Sequence, residues 1–359
     1  SCSRDELGGK AWQLLIMQNA GLAVPDFFVI PARCVAAIVA GVRKEIESSL
    51  SVVDALDHPQ LFDIARSIKE KIQGIELAAE LQHEIQSACT GLFGPEYYVA
   101  VRSSAAAEDG AGASFAGQHE SYLFVSADTL ISKIRDCIAS AWSFGALSYR
   151  LASGISLSDI QYAVIIQDMV KAEKSGIAFS MNVHGNLADT VIVAGYGLGE
   201  GIVQDRVETD MYIVDRQQGS MAKKCVSKPN SIQFIAGEGL VNQAVDPVKA
   251  AQPALDDQEI MQVFSQAMHA EKLLNFPADV EFSFDQSRKL YLLQMRPITT
   301  LDLQKLEILD NTNIVESYPG VTLPLSFSFA LDAYEKVFTG SSKAFWVSDD
   351  VIEKNKPVF

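Results

Sequence analysis

Between Asp279 and Pro297 the chain reads Asp-Val-Glu-Phe-Ser-Phe-Asp, a short polar turn, then Leu-Tyr-Leu-Leu-Gln-Met-Arg-Pro. Period-two alternation with one apolar face marks paired, half-buried strands, and it leaves little freedom in how they align. With Gln286–Lys289 as a four-residue loop, Asp285 faces Leu290. Val280, Phe282 and Phe284 then oppose Met295, Leu293 and Tyr291, all apolar. On the other face Asp279 opposes Arg296 and Glu281 opposes Gln294. A slip of one residue sets Glu281 against Leu293 and Gln294 against Val280, which a half-buried sheet rejects. The register gathers an acid, an amide and a guanidinium on one face of the strand pair. Acid and amide oxygens suit Mg²⁺, and a guanidinium suits phosphate. An exposed Asp–Arg pair with no further role fits the same pattern.

The cations of this chain are few enough to matter individually. Its 359 residues carry a formal net charge of −16, so a basic nucleic-acid-binding face is not expected. An acidic protein that takes an anion needs placed cations and backbone N–H groups. Cys2, Cys34, Cys89, Cys137 and Cys225 lie far apart, with no metal-ligand spacing. That pattern suits a reducing, cytoplasmic setting. Neither a membrane-length apolar run nor a signal peptide is visible.

The order of elements is helices first, then mixed strands and helices, which predicts an α+β fold and argues against regular β-α alternation. Asp5–Lys10 reads as a polar loop and Ala11–Asn19 as a helix stopped by Gly21. Ala32–Leu50, Pro59–Gly91 and Thr129–Tyr149 read as helices; in the last, Leu130, Ile134, Cys137, Ile138 and Ala141 share a face. Tyr97–Val101 is predicted as a strand ending at Arg102, followed by a loop of small residues over Ser103–Gln118. Gln161–Val170 is apolar enough for a strand buried on both faces. Further strands are expected at Gly176–Met181, Thr190–Gly195 and Met211–Val214, and a helix at Asp256–Leu274. After Pro297 the texture changes to a linker and a partial helical unit.

Three glycine-rich segments recur near cations or helix starts. Gly8-Gly9-Lys10 precedes a helix, where close backbone approach and the helix dipole favour an anion. It is no Walker A loop, because Ala11 stands where Ser or Thr is required. A lysine in a surface turn is the plain alternative. Val99-Ala-Val-Arg102-Ser-Ser-Ala, continuing to Gly117-Gln118, offers a guanidinium and a loop of potential N–H donors. Gly195-Tyr-Gly-Leu-Gly-Glu200-Gly201 fails the dinucleotide fingerprint because Glu200 replaces its final glycine. No His pair or Ser–His–Asp set emerges from the spacing.

Together these segments resemble the nucleotide-binding domain of the phosphoenolpyruvate synthase and pyruvate phosphate dikinase family. The likeness rests on Gly8-Gly9-Lys10, Val101-Arg102-Ser-Ser-Ala with Glu108-Asp109 and Ala113-Ser-Phe-Ala-Gly117-Gln, Gly197-Leu-Gly-Glu-Gly201, Asp279-Val-Glu281 and Leu293-Gln-Met-Arg296-Pro297. It implies a two-lobed, ATP-grasp-like domain with lobes over 1–180 and 181–300 and a linker from 301 to 359. It implies ATP and Mg²⁺ as cofactors. Lys10 and Arg102 would bind ATP phosphates. Gly117 and Ser121 would lie in the loop over the phosphates, and Gln167 near the base. Glu281 and Gln294 would hold Mg²⁺ with Asp279 nearby, and Arg296 would touch the transferring phosphates. Arg102 and Arg296 would thus be the catalytic cations.

The family passes the β,γ-diphosphate of ATP to a histidine on a separate domain of the same larger protein, whose motif no histidine here matches. Neither nucleic acid nor membrane is an expected partner. Pyruvate is the expected final acceptor. The stretch Asn313–Leu325 also resembles rifampin-phosphotransferase-like members, so a rifamycin acceptor stands as an alternative, and a non-catalytic nucleotide-binding module as another.

Overall fold

The computed structural model describes residues 2–51, 58–105, 121–154, 156–157, 161–183, 185–298, 324–345 and 347–355. Residues Ser1–Leu301 form one compact unit and Asp302–Phe359 a second.

The first unit opens with helix α1 (Arg4–Asn19), strand β1 (Phe27–Ile30) and helices α2 (Ala32–Val39), α3 (Arg43–Ser51), α4 (His58–Gln73) and α5 (Ala79–Phe93). Then come β2 (Val99–Ala105), β3 (Ser121–Val125), α6 (Leu130–Ser140), α7 (Phe144–Ala152) and β4 (Tyr162–Asp168). The strands form an antiparallel four-stranded sheet in the order β1-β4-β2-β3. Alternation divides its faces. Val99, Val101, Val164 and Ile166 join a core with α2 to α7, while Ile165 joins a second core with Leu7, Ala11, Leu14 and Met17 of α1. Arg102 and Gln167 sit at alternate positions on the Ile165 side.

The remaining elements are β5 (Ala172–Phe179), β6 (Asp189–Tyr196), α8 (Gly199–Val203), β7 (Asp210–Asp215), β8 (Met221–Lys224), β9 (Asn230–Ile235), β10 (Gly239–Ala244), α9 (Pro247–Ala250), α10 (Asp257–Leu274), β11 (Ala278–Asp285) and β12 (Leu290–Pro297). Six of these strands form a sheet in the order β12-β11-β5-β6-β7-β8, and β9 pairs with β10. Helix α10 covers one face. Its Ile260, Val263, Ala267 and Ala270 pack with Val280, Phe282, Phe284, Ala178 and Ile192. A capping box fixes where it starts, with Asp256 accepting from the Glu259 N–H and Glu259 from the Asp256 N–H. The second unit contains α11 (Pro324–Ala344) and α12 (Asp349–Asn355). Among the described residues no helix is long and apolar enough to cross a membrane.

Antiparallel sheets and helices that come in separate runs make this an α+β protein. Several expected elements have different bounds. Asp5–Lys10 is helical, because Ser3 caps Glu6 and two acids occupy the first turn, with one break at Gly8. The helix expected at Thr129–Tyr149 is two, since Ser143 caps a new helix by accepting from the Ala146 N–H at 3.2 Å. The expected helix at Pro59–Gly91 breaks at Gly74, and that at Ala32–Leu50 breaks between Val39 and Arg43.

The hairpin follows the expected register from Asp279↔Arg296 through Glu281↔Gln294, and Val280 and Met295 are buried in the core. Closer to the turn the register changes. Phe282 pairs with Leu292, and Phe284 with Leu290, so Leu293 is an extra residue bulged out of β12. The expected pairs Phe282–Leu293 and Phe284–Tyr291 are therefore incorrect. Arg288 adopts a left-handed conformation (φ 66°) and Asp285 N–H donates to Lys289 O at 3.1 Å, which shortens the loop to Gln286–Arg288.

Candidate functional site

Arg102 lies in mid-strand, not at the strand exit expected from the sequence. Ser103, Ser104 and Ala105 continue β2 and are buried, with α1 packed on Ser103 and Ser104 and Ala105 in the core with α2 to α7. Gly8 makes that approach possible. It has φ 77°, and a Cβ there would stand 2.2 Å from the Ser104 carbonyl oxygen. The helix restarts beyond it, with Ala11 N–H donating to Ser104 Oγ at 3.0 Å and Lys10 Nζ reaching Ser103 Oγ at 3.5 Å. The Gly-Gly-Lys turn is thereby docked next to Arg102.

The guanidinium of Arg102 spans the two sheets. Its Nη1 donates to Gln167 Oε1 on β4 and to the Leu293 carbonyl on β12, both at 2.9 Å, and its Nη2 to Gln294 Oε1 at 2.7 Å. The bulge at Leu293 has a use here, since it presents a carbonyl that a regular ladder would engage. All three acceptors are neutral, and among the described residues Arg102 forms no ion pair. The charge is held in place without being cancelled. Gln167 is almost fully buried, and its Nε2 has no hydrogen-bond partner among the described residues. Such an orphan donor costs about 1–3 kcal/mol unless an acceptor arrives.

Across the hairpin, Arg296 Nε and Nη2 both lie 2.7 Å from Asp279 Oδ2, with Asp279 buried and Arg296 half-exposed. Asp279 thus orients Arg296. Glu281 is half-buried, and no hydrogen bond or ion pair engages it among the described residues. Withdrawing a carboxylate from water without a partner is costly, which favours a cation beside it. Opposite Glu281 the Gln294 Oε1 has a second lone pair beyond its bond to Arg102. One carboxylate and one amide oxygen suit Mg²⁺ that takes its other ligands from phosphate and water. The donor set fits the ion. Among the described residues there is no cluster of three or more His, Cys, Asp or Glu side chains for a self-sufficient metal site.

Glu200 in α8 is a neighbour that sequence reasoning quoted without assigning. Its pKa is raised by burial, offset in part by Arg206 and reinforced by the nearby charge of Glu281. The glycine run is the signal that marked it. Gly197 has φ 86°, and a Cβ there would stand 2.4 Å from the Ile232 carbonyl oxygen. Ser175 Oγ donates to Gly197 O and contacts Ser283 Oγ, each at 2.8 Å, tying this turn to the Glu281 strand. Ser121 opens β3 directly opposite Arg102. The expected Gly117 lies outside the described residues, as do Glu108 and Asp109.

Comparison with known proteins resolves what this constellation belongs to. The profile of the family described as "Pyruvate phosphate dikinase, AMP/ATP-binding domain" matches residues 4–314. The chain belongs to this family. It is similar to a probable phosphoenolpyruvate synthase of Methanocaldococcus jannaschii, with 34% identity over 84% of this chain and 26% of that protein. It is also similar to a rifampicin phosphotransferase of Bacillus subtilis, with 31% identity over 82% of this chain and 34% of that protein. The chain spans about a quarter to two fifths of the length of the first relatives it matches. Among solved structures, the ATP-grasp ligase PsnB aligns over 85% of this chain and 54% of its own, at 9% identity and a TM-score of 0.29, a likeness too slight to bear on function.

Proposed function

We propose that this dikinase-family domain binds MgATP between its four-stranded and six-stranded sheets and passes the β,γ-diphosphate to a histidine on a separate domain of the same larger protein, for phosphoenolpyruvate synthesis from pyruvate. The observation that carries the reading is the Arg102 guanidinium, held by three neutral oxygens from both sheets beside Glu281, which has no partner among the described residues. Phosphoryl transfer needs positioning and charge stabilisation more than covalent help. Lys10, at the restarted N-terminus of α1, and Arg102 bind the phosphates. Arg296, steadied by Asp279, contacts the phosphates that transfer, and Ser121 adds a hydroxyl from β3. Gln167 Nε2 donates to an acceptor near the base. Glu281 and Gln294 would hold Mg²⁺, whose charge offsets that of the phosphates when it is bound.

In the transfer the bond that breaks is the one between the β-phosphorus and the oxygen bridging it to the α-phosphorus. A histidine nitrogen bonds to the β-phosphorus, and AMP leaves with the bridging oxygen. The similarity to a rifampicin phosphotransferase favours a second reading in which the same ATP chemistry serves a rifamycin acceptor.

Calorimetric titration with MgATP tests the binding step. Wild type should bind, and Glu281→Ala should bind at least tenfold more weakly; equal binding by both, or none by wild type, sinks the proposal. ATP labelled at the β-phosphate, mixed with the protein and a histidine-bearing domain, tests the transfer. Label on histidine together with released AMP supports it, and released ADP with no label on histidine counts against it.

A further inference from the structure

Away from Arg102, the four-stranded sheet also meets the β9–β10 pair, through aromatic rings. Phe124 of β3 stacks on Phe234 of β9 with centroids 4.0 Å apart and planes 4° from parallel. Tyr98 closes the group edge-on, 4.9 Å from Phe234 and 6.2 Å from Phe124. Phe124 has φ 54°, a left-handed conformation that a bulky residue adopts only under constraint. The constraint is a bulge. Val99 pairs with Val125 and Val101 with Tyr122, so Leu123 and Phe124 share the single position opposite Ala100. Bulges re-aim side chains, and this one turns the Phe124 ring onto the β9–β10 hairpin.

Rigid pieces extend from both rings toward the site. On one side β3 begins at Ser121, in register with Arg102. On the other, Ile232 of β9 bridges Gly197 and accepts from the Leu198 N–H at 2.9 Å, which seats the turn leading to Glu200. Ile232 and Leu198 share an apolar cluster against which Phe124 and Phe234 pack. We propose that the Phe124–Phe234 stack is a clasp across the nucleotide site: it positions β3 against the glycine turn and so sets how long nucleotide stays bound. The dwell-time part rests on the function proposed above; the mechanical coupling of β3 to β9 does not.

The experiment compares wild type, Phe234→Ala, Phe234→Leu and Phe234→Tyr. Amide hydrogen exchange over residues 121–125 and 230–235 is followed without nucleotide, and release of a fluorescent MgATP analogue is followed by stopped flow. Phe234→Ala should speed exchange in 121–125, on the opposite strand, by about fivefold, and speed release by a similar factor. Phe234→Leu, which keeps apolar bulk and loses the flat ring, should behave like Ala. Phe234→Tyr should restore both readouts. Unchanged exchange in 121–125 with Phe234→Ala overturns the clasp, as does faster exchange with unchanged release. A wild type that takes up no nucleotide overturns the function proposed above, while the nucleotide-free exchange still decides the coupling.

Discussion

Two of the clusters of polar groups withdrawn from water among the described residues are satisfied in opposite ways. Around Asp210 the network closes on itself. Lys228 Nζ lies 2.8 Å from Asp210 Oδ1 and donates to Val226 O at 2.7 Å, with Lys228 and Asp210 wholly buried. The Val226 N–H donates to Asp210 Oδ1, and the Ala254 N–H and Tyr212 hydroxyl donate to Oδ2. Tyr212 in turn accepts from the Leu255 N–H. No atom of this network lacks a partner. Around Arg102, among the described residues, the network stays open: a guanidinium on neutral acceptors, an amide donor without an acceptor, and a carboxylate without a cation. The difference teaches where to look for function. A closed network joins β7 to the segments after β8 and α9, and has no capacity for a ligand. An open one keeps its capacity for something the fold does not supply.

The comparison is broken most forcefully at Lys228. Lys228→Met leaves Asp210 buried and unpaired, and should cost about 3–5 kcal/mol of unfolding free energy in urea. The folded fraction should keep its affinity for MgATP. A variant of unchanged stability and impaired binding would reverse the assignment of the two clusters.

Alkali tests the surroundings of the closed network with a smaller effect, at Tyr196, whose ring centroid lies 5.7 Å from Lys228 Nζ. Burial, followed by the charges of Asp210, Glu173 and Glu259, pushes Tyr196 from the ordinary 10.0 to about 12. A folded-state pKa raised in this way leaves stability intact below pH 10 and removes it as pH climbs through 12. Unfolding free energy should fall by about 2 kcal/mol across that window, with Tyr196→Phe falling less. The smallest expected effect lies in the open cluster. Gln167→Leu loses a contact to Arg102 and also removes the orphan donor, so stability should shift by less than about 1 kcal/mol. MgATP should bind about tenfold more weakly. A large loss of stability with unaltered affinity would make Gln167 a structural residue.

Much of the open cluster was legible because strand alternation is a strong signal. The pairs Asp279–Arg296 and Glu281–Gln294 followed from which residues could tolerate the core. The bulge at Leu293 left no such mark, since every residue from Leu290 to Met295 suits a strand and either register buries apolar groups. Arg288 hid the shorter loop by taking a left-handed conformation without being glycine. The mid-strand place of Arg102 was hidden by Ser103–Ala105, small residues that read as loop until α1 packs on Ser104 through Gly8. The β9–β10 hairpin went unread because alternation is confined to Ser231–Phe234 and fails in Leu240–Ala244, and Phe234 depends on a partner far away in sequence. Glu200 was visible as part of a motif, but only folding brings it near Glu281.

The central claim is that Arg102 is held across two sheets to meet phosphate. Its most direct test is MgATP titration of Arg102→Ala beside wild type, with urea unfolding of both. A charge-assisted contact of about 1.5–3 kcal/mol predicts binding ten- to a hundredfold weaker, in a protein that still folds. Equal affinity in the two proteins would contradict the account.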